Sequence, residues 1–362
     1  MELNKHNNQM TIYFDVKELY YLPQYLPIFH QLIERGYDKT VFVFHHGKFD
    51  DQIRKIIESN GLISEWVQND TEARDLYIYQ KPNWIFFGNS FPFLREIHDY
   101  SKTAQLGHGV GPKSSYYSKS STPNTVRFVE GEYRKIKLES MFPDDKFIDT
   151  GFSKLDPILT GSSERIDIQK IGLTNKKKTI LYAPTFYPSS IEKFPENFPK
   201  IFNEFNIIIK PHFFTHSKQK YSNQQKRLKI WEQYENVFVA SPEAFSLVPF
   251  LAVADIMISD ASSAVLEFAA LGKPVIVCKF LKLRWNYRGI FSFRFKKRMG
   301  SDFNFYSNFA FTADNFSEIL SHFNALPTFQ YSLEQKKFIT KMIGSLDGKA
   351  SKRIVDYLEE NL

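Results

Sequence analysis

Short apolar runs alternate along this chain with longer stretches in which apolar residues recur every third or fourth position, the two patterns that separate buried strands from amphipathic helices. In the first half the strand pattern falls on Thr11 to Phe14, Thr40 to Phe44, Trp84 to Phe87, Lys102 to Leu106, Thr125 to Val129 and Lys146 to Asp149. Helical spacing falls between them. It covers about Lys17 to Arg35, delayed or interrupted by Pro23 and Pro27, and Asp50 to Ser59, with Ile53, Ile56 and Ile57 inward and Gly61 as its stop. It returns near Phe91 to Tyr100 and over the charged Glu132 to Met141. The second half restarts with strands at Thr179 to Tyr182, Ile207 to Ile209, Val237 to Val239, Ile256 to Ile258 and Val275 to Cys278. Strands alternating with helices predict parallel sheets, so the fold class is α/β with two doubly wound domains, residues 1–160 and 161–345. Between Leu155 and Lys178 the pattern weakens into Pro157, Gly161, Ser162, Ser163 and a lysine triplet, the expected linker region. A last amphipathic helix, within 346–362, carries Ile354, Val355 and Leu358 on one side with no strand after it, and is expected to pack across the domain boundary.

The unit from Asp255 to Cys278 is the most informative. Its strand Ile256 to Ile258 runs into a polar turn at Asp260 to Ser263, then into a helix with Val265, Leu266, Phe268 and Ala269 at helical spacing, which Gly272 and Pro274 end before the next strand. Open parallel sheets bind ligands at such carboxyl-edge turns. Ser262 and Ser263 open a helix whose first N–H groups lack intrahelical partners, a setting that suits phosphate, and Glu267 lies one turn deeper on the same face, where a carboxylate could accept from ribose hydroxyls. The same residues also suit a plain N-cap and a carboxylate that complements the helix dipole.

Composition changes this picture in two places. The single Cys278, inside a buried strand, allows no internal disulfide. No apolar run approaches the ~18–20 residues of a membrane span, and the first residues lack a basic start followed by an apolar segment, so a cytoplasmic location is expected. The formal charge is +7, but Lys279 to Ser301 holds eight Lys or Arg and no acid, and without that segment the chain would carry a net charge of −1. Lys282, Arg284, Trp285, Arg288, Arg294, Lys296, Lys297 and Arg298 therefore form a candidate membrane or acceptor patch, interleaved with Phe280, Tyr287, Phe291, Phe293 and Phe295. Such a mixture also suits single-stranded nucleic acid, or a solvated loop with a few core aromatics.

Three further strand ends carry chemistry. In Gln105-Leu-Gly-His-Gly-Val-Gly-Pro-Lys113, Gly107, Gly109 and Gly111 leave the backbone free to approach a ligand and present His108, whose pKa range suits a general base, or which is an ordinary turn histidine. With Lys113 the stretch comes within one residue of a phosphate-loop pattern, but Pro112 replaces the second glycine and no amphipathic helix follows, which argues against an ATPase. Ile207-Ile-Ile-Lys-Pro-His212 delivers Lys210 and His212 at a strand end, a cation and an imidazole suited to phosphate. Leu181-Tyr-Ala-Pro-Thr185 offers Thr185 as a hydrogen-bond donor. No His or Cys spacing matches a zinc site, no Asp-x-Asp stands at a predicted strand end, and no G-x-G-x-x-G opens the first unit, so neither a metal nor a nicotinamide cofactor is expected.

In this order, the strand ends resemble the CDP-glycerol glycerophosphotransferase family of teichoic-acid and capsule synthesis. The matching pieces are Gly107-His-Gly-Val-Gly-Pro-Lys113, Thr150-Gly-Phe-Ser-Lys-Leu-Asp156, Ile180-Leu-Tyr-Ala-Pro-Thr185, Lys210-Pro-His212, Ala254-Asp-Ile-Met-Ile-Ser-Asp-Ala-Ser-Ser263 and Asp347-Gly-Lys-Ala-Ser-Lys-Arg-Ile354. The resemblance implies a GT-B arrangement, two Rossmann-like domains facing across a cleft, and transfer of a polyol phosphate from a CDP-linked donor to a hydroxyl of a lipid-linked or cell-wall glycan, with release of CMP. It implies His108 as base, His212 as stabiliser of the diphosphate, and Ser262, Ser263, Glu267, Lys210, Thr185 and Asp260 around donor phosphates and ribose. CDP-glycerol or a related CDP-polyol, a lipid-linked acceptor and an anionic membrane surface are the implied partners, at the inner face of the cell membrane. The chain departs from the family at Phe186-Tyr187, Ala261 and Glu267, which leaves the polyol open. Its length implies single addition rather than polymerisation. A glycosyltransferase or UDP-sugar 2-epimerase would share the fold, and a non-catalytic nucleotide-binding or nucleic-acid-binding protein is the third reading.

Overall fold

The computed structural model describes residues 10–107, 109–111, 117, 122–163, 165–283, 287, 289, 292–293 and 304–362. Among them, one compact unit takes the described residues up to 109, those from 117 to 160, and 341–362; the other takes 110–111 and the described part of 161–340.

The first unit is built on a parallel sheet of seven strands: β1 (Ile12–Val16), β2 (Thr40–His45), β3 (Ile63–Val67), β4 (Trp84–Phe87), β5 (Lys102–Leu106), β6 (Val126–Val129) and β7 (Phe147–Asp149), in the order β3-β2-β1-β4-β5-β6-β7. β1 and β4 are buried along their whole length, which is why they read as continuous apolar runs. β3 and the helix Asp70–Gln80 after it were not signalled by the apolar pattern: β3 is an edge strand whose Ile63 and Glu65 are exposed. The first helix, Leu22–Glu34, starts later than the spacing suggested because Pro23 fits its opening turn, and it carries Pro27 inside.

The second unit repeats the plan with β8 (Thr179–Ala183), β9 (Asn206–Ile209), β10 (Val237–Val239), β11 (Ile256–Ser259), β12 (Val275–Cys278) and β13 (Phe311–Ala313), all parallel, in the order β10-β9-β8-β11-β12-β13. β13 has no counterpart among the strands expected from the apolar pattern. The period of two along each strand sorts side chains between faces. Ile180, Tyr182, Ile207, Ile209, Ile256, Ile258, Ile276 and Cys278 share one face with Phe194, Phe198 and Trp231, while Leu181, Ile208, Met257 and Val277 are fully buried on the other. Phe280 packs on the first of these clusters, its ring stacked 5.7 Å from Phe194, and Lys279 pairs with Asp314 at 3.0 Å. These two residues of the basic segment therefore serve the domain itself.

The C-terminal helix Ala350–Glu360 belongs to the first unit, where it lies against the helix Leu22–Glu34. Two of the motif stretches explain its attachment. The Asp156 carboxylate accepts from Ala350 N (3.2 Å), Ser351 N (2.7 Å) and Ser351 Oγ (2.6 Å), so it caps that helix from outside, and Arg353 donates to Thr150 O (2.8 Å) while pairing with Asp347. At Gly131, with φ +78°, a Cβ would stand 2.6 Å from Lys341 O, so the chain returns here against bare backbone.

Candidate active site

In a sheet ordered β10-β9-β8-β11-β12-β13 the direction of winding reverses between β8 and β11, and the ligand crevice of such sheets lies beyond the carboxyl ends there. Thr185, Lys210, His212, Asp260, Ser262 and Ser263 all follow directly on β8, β9 or β11, so the topology brings these residues to one edge of the second sheet.

Asp260 organises that edge. It is fully buried, and its carboxylate accepts from Thr185 N (2.9 Å), Thr185 Oγ1 (3.1 Å), Ser190 N (3.3 Å) and Ser190 Oγ, while Tyr182 and Ser190 hydroxyls share a 2.7 Å bond beneath. Burial pushes its pKa up to about 6 against the pull of these donors. The Thr185 hydroxyl shares its single proton between Asp260 and Pro188 O, so it and the Asp260 carboxylate are taken up inside the turn 185–190. Both shape the edge from within.

Ser262 caps the helix Ser263–Ala269, its Oγ accepting from Ala264 N at 3.3 Å, and its carbonyl accepts from Tyr306 Oη at 2.8 Å. The N-cap role is therefore realised, with Ser262 and Ser263 still partly exposed and Glu267 only 1% exposed one turn below. Lys210 leaves β9 partly buried; burial pushes its ammonium down to about 8, and among the described residues it makes no ion pair. A desolvated cation without a counter-charge favours an incoming anion. His212 caps the short helix Phe213–Ser217, its Nδ1 accepting from Phe214 N at 3.1 Å. That bond leaves the neutral ring's proton on Nε2, so the exposed imidazole is a donor there. Its plane is fixed against Phe186 (4.5 Å) and Phe214 (5.1 Å).

Sequence reasoning missed two groups. His216 has its pKa lowered by burial and by the charge of Lys210, and its buried Nε2 has no hydrogen-bond partner among the described residues. In the first unit, Asp15 accepts from Tyr77 Oη (2.7 Å) and pairs with His45 Nε2 (3.0 Å), fastening β1, β2 and the helix Asp70–Gln80. Residues so far apart in the chain give no local signal.

Of the glycine loop, Gly107, Gly109 and Gly111 are described; His108 and Lys113 lie outside the described residues. So do Arg284, Trp285, Arg288, Phe291, Arg294, Phe295, Lys296, Lys297 and Arg298. Lys282 is described, its N–H donating to Ser189 O at 2.7 Å, which ties the start of the basic segment to the turn that Asp260 holds. Phe293 is 58% exposed. Among the described residues no three His, Cys, Asp or Glu gather as a metal site, and no helix is long and apolar enough to cross a membrane.

With this geometry in place, comparison with known proteins is specific. The family described as CDP-glycerol:poly(glycerophosphate) glycerophosphotransferase matches residues 117–360. The teichoic acid poly(ribitol-phosphate) polymerase of Bacillus spizizenii is 24% identical over 318 residues, covering 78% of this chain and 47% of that protein. The chain thus spans about half the length of that relative. Among solved structures, the wall teichoic acid polymerase TagF superposes with a TM-score of 0.68 at 15% identity, covering 97% of this chain and 88% of that one, and a histidine variant of it has been soaked with CDPG. A putative UDP-N-acetylglucosamine 2-epimerase from Listeria monocytogenes gives 0.64 at 12% identity, covering 97% and 96%. The fold is shared with both, a GT-B-like α/β pair of Rossmann-like domains. The chain belongs to the CDP-glycerol glycerophosphotransferase family.

Proposed function

We propose that this chain transfers a polyol phosphate, glycerol phosphate first, from a CDP-linked donor to a hydroxyl of a lipid-linked or wall-glycan acceptor, releasing CMP. The observation that carries the reading is the family match over 117–360, whose span includes the edge where Lys210 and His212 follow β9 and Ser262-Ser263 follow β11, with β8 between the two strands. In the reaction the acceptor hydroxyl gives its proton to His108 as its oxygen bonds to the donor's β-phosphorus. The bond from that phosphorus to the bridging oxygen breaks, and CMP leaves with the oxygen. Lys210 and the Nε2–H of His212 meet the charge developing on the bridging oxygen and α-phosphate. Ser262 and Ser263 hold phosphate oxygens, and Glu267 takes the ribose hydroxyls. No metal enters this scheme, so chelation with EDTA should leave the rate unchanged. The segment from Lys282 to Arg298 supplies contact with an anionic inner membrane surface, each basic residue near it worth about 1 kcal/mol.

Incubation with CDP-glycerol, CDP-ribitol and UDP-N-acetylglucosamine, followed by nucleotide release and product sizing, tests the proposal. CMP release from a CDP-polyol that depends on acceptor is expected, and product size separates one addition from many. Turnover of the UDP-sugar alone would favour the epimerase-like reading instead.

A further inference from the structure

Arg134 and Glu130 are 3% and 4% exposed, just after β6, and their side chains form an ion pair of 2.8 Å within one helical turn. The same Arg134 Nη2 donates to Gly109 O at 2.8 Å, and the guanidinium lies 5.5 Å over the Tyr117 ring. On the other side of residue 108, a Cβ placed on Gly107 would stand 2.8 Å from Arg134 Nη1. The guanidinium therefore fills the space a side chain at 107 would need, and holds the carbonyl at 109.

Burying such a pair is not an efficient way to add stability, because desolvating both ions offsets their attraction, and an apolar pair of similar volume commonly does as well. What the pair supplies is placement: the rigid, permanently charged guanidinium plane puts Nη2 between the Glu130 carboxylate and the Gly109 carbonyl while Nη1 backs onto Gly107 and the plane lies over Tyr117, a set of contacts that an apolar side chain or the single ammonium of a lysine does not reproduce. That placement acts on a stretch of glycines, Gly107, Gly109 and Gly111, whose backbone would otherwise sample many conformations.

We propose that Glu130 and Arg134 are positioning residues for the general base, setting the backbone on both sides of His108. This rests on the reading of His108 as base given above. Base catalysis depends on hydrogen-bond geometry to the acceptor hydroxyl, so loss of the strut is felt in the chemical step and not in donor binding, whose groups follow on β8, β9 and β11.

The test uses the full chain, CDP-glycerol and a glycerol-phosphate-terminated acceptor lipid, with CMP release as readout. Arg134→Lys keeps the charge opposite Glu130 but not the guanidinium plane. Its kcat should fall about 10- to 100-fold with the CDP-glycerol KM within about twofold, and the acid limb of its pH–rate profile should move. Gly107→Ala presses on the same contact from the other side and should reproduce that signature, which keeps the proposal open to test if Arg134→Lys fails to fold. A folded Arg134→Lys or Gly107→Ala chain with kcat and acid limb intact, beside an inactive His108→Ala, overturns the positioning role alone. A His108→Ala chain that retains kcat overturns the base assignment itself, and the positioning role with it.

Discussion

The two sheets share a strand order, 3-2-1-4-5-6, with one strand added to the first, yet their described carboxyl edges are finished in opposite ways. In the first unit the groups found there are satisfied within the protein: the Arg134 guanidinium meets the Glu130 carboxylate, and the Asp15 carboxylate meets His45 Nε2 and the Tyr77 hydroxyl. In the second, Lys210 is desolvated with no ion pair among the described residues, and His212 has one nitrogen committed to the backbone so that the other is a donor. An edge whose charges are internally neutralised can fix the geometry of a loop; an edge that keeps an uncompensated cation favours binding an anion. The proposed reaction gives positioning to the first sheet and donor binding to the second.

The largest expected effect breaks the comparison at Lys210. Lys210→Met keeps the stem and removes the charge, and kcat/KM for CDP-glycerol should fall about 100-fold, as when one preorganised donor to a developing charge is lost. The pH dependence gives an independent check. With its pKa pushed down to about 8, Lys210 is cationic below that pH and neutral above, so kcat/KM of the unaltered chain should decline as pH rises past about 8. In the Met variant that alkaline limb should vanish. If the limb persists, the titrating group is another.

How much of this could be read beforehand depended on whether the signal was local. Strands such as Trp84–Phe87 and Val275–Cys278, and the helix Glu132–Met141, fell within their predicted bounds because burial on both faces or regular helical spacing is written into consecutive residues. β3 and β13 escaped for the opposite reason: each has few fully buried residues at the rim of its sheet, so hydrogen bonding to a neighbour, not apolar content, makes it a strand. Among candidate site residues, Lys210 and His212 were legible as residues at a strand end, and Asp260 as part of the polar turn that follows a strand. That Asp260 turns inward to Thr185 and Ser190 was not legible, since it requires residues about 70 positions away to fold back on it. Arg134 looked like part of an ordinary charged helix for the same reason, and Glu130 fell between that helix and the strand before it.

The next effect compares two buried aspartates with similar duties. Asp260→Asn leaves an amide whose oxygen can satisfy only part of the donor set from Thr185 and Ser190, and whose NH₂ faces N–H and O–H groups. A loss of about 3 kcal/mol in urea unfolding is expected. Because the folded chain holds the Asp260 proton to about pH 6, and the unfolded chain only to about 3.8, this group's contribution to stability is present at the acid end and lost as pH rises between those values. The Asn variant should lack that decline. Its donor KM should also rise, since the turn 185–190 flanks the donor edge.

Asp156→Asn should cost somewhat less, about 2 kcal/mol, because a shared Ser351 supplies two of its three donors and can re-form one bond to the amide oxygen. The kinetic outcome is what separates the two aspartates. Asp156 caps the helix Ala350–Glu360 within the first unit, and that helix is also held by Arg35 to Asp356 and Glu359, each at 2.7 Å. Loosening one of several fastenings should leave kcat and donor KM of the folded enzyme unchanged while lowering the urea midpoint. A raised donor KM in Asp156→Asn, matching that of Asp260→Asn, would mean that the C-terminal helix communicates with the donor edge, and the division of labour between the two sheets would have to be redrawn.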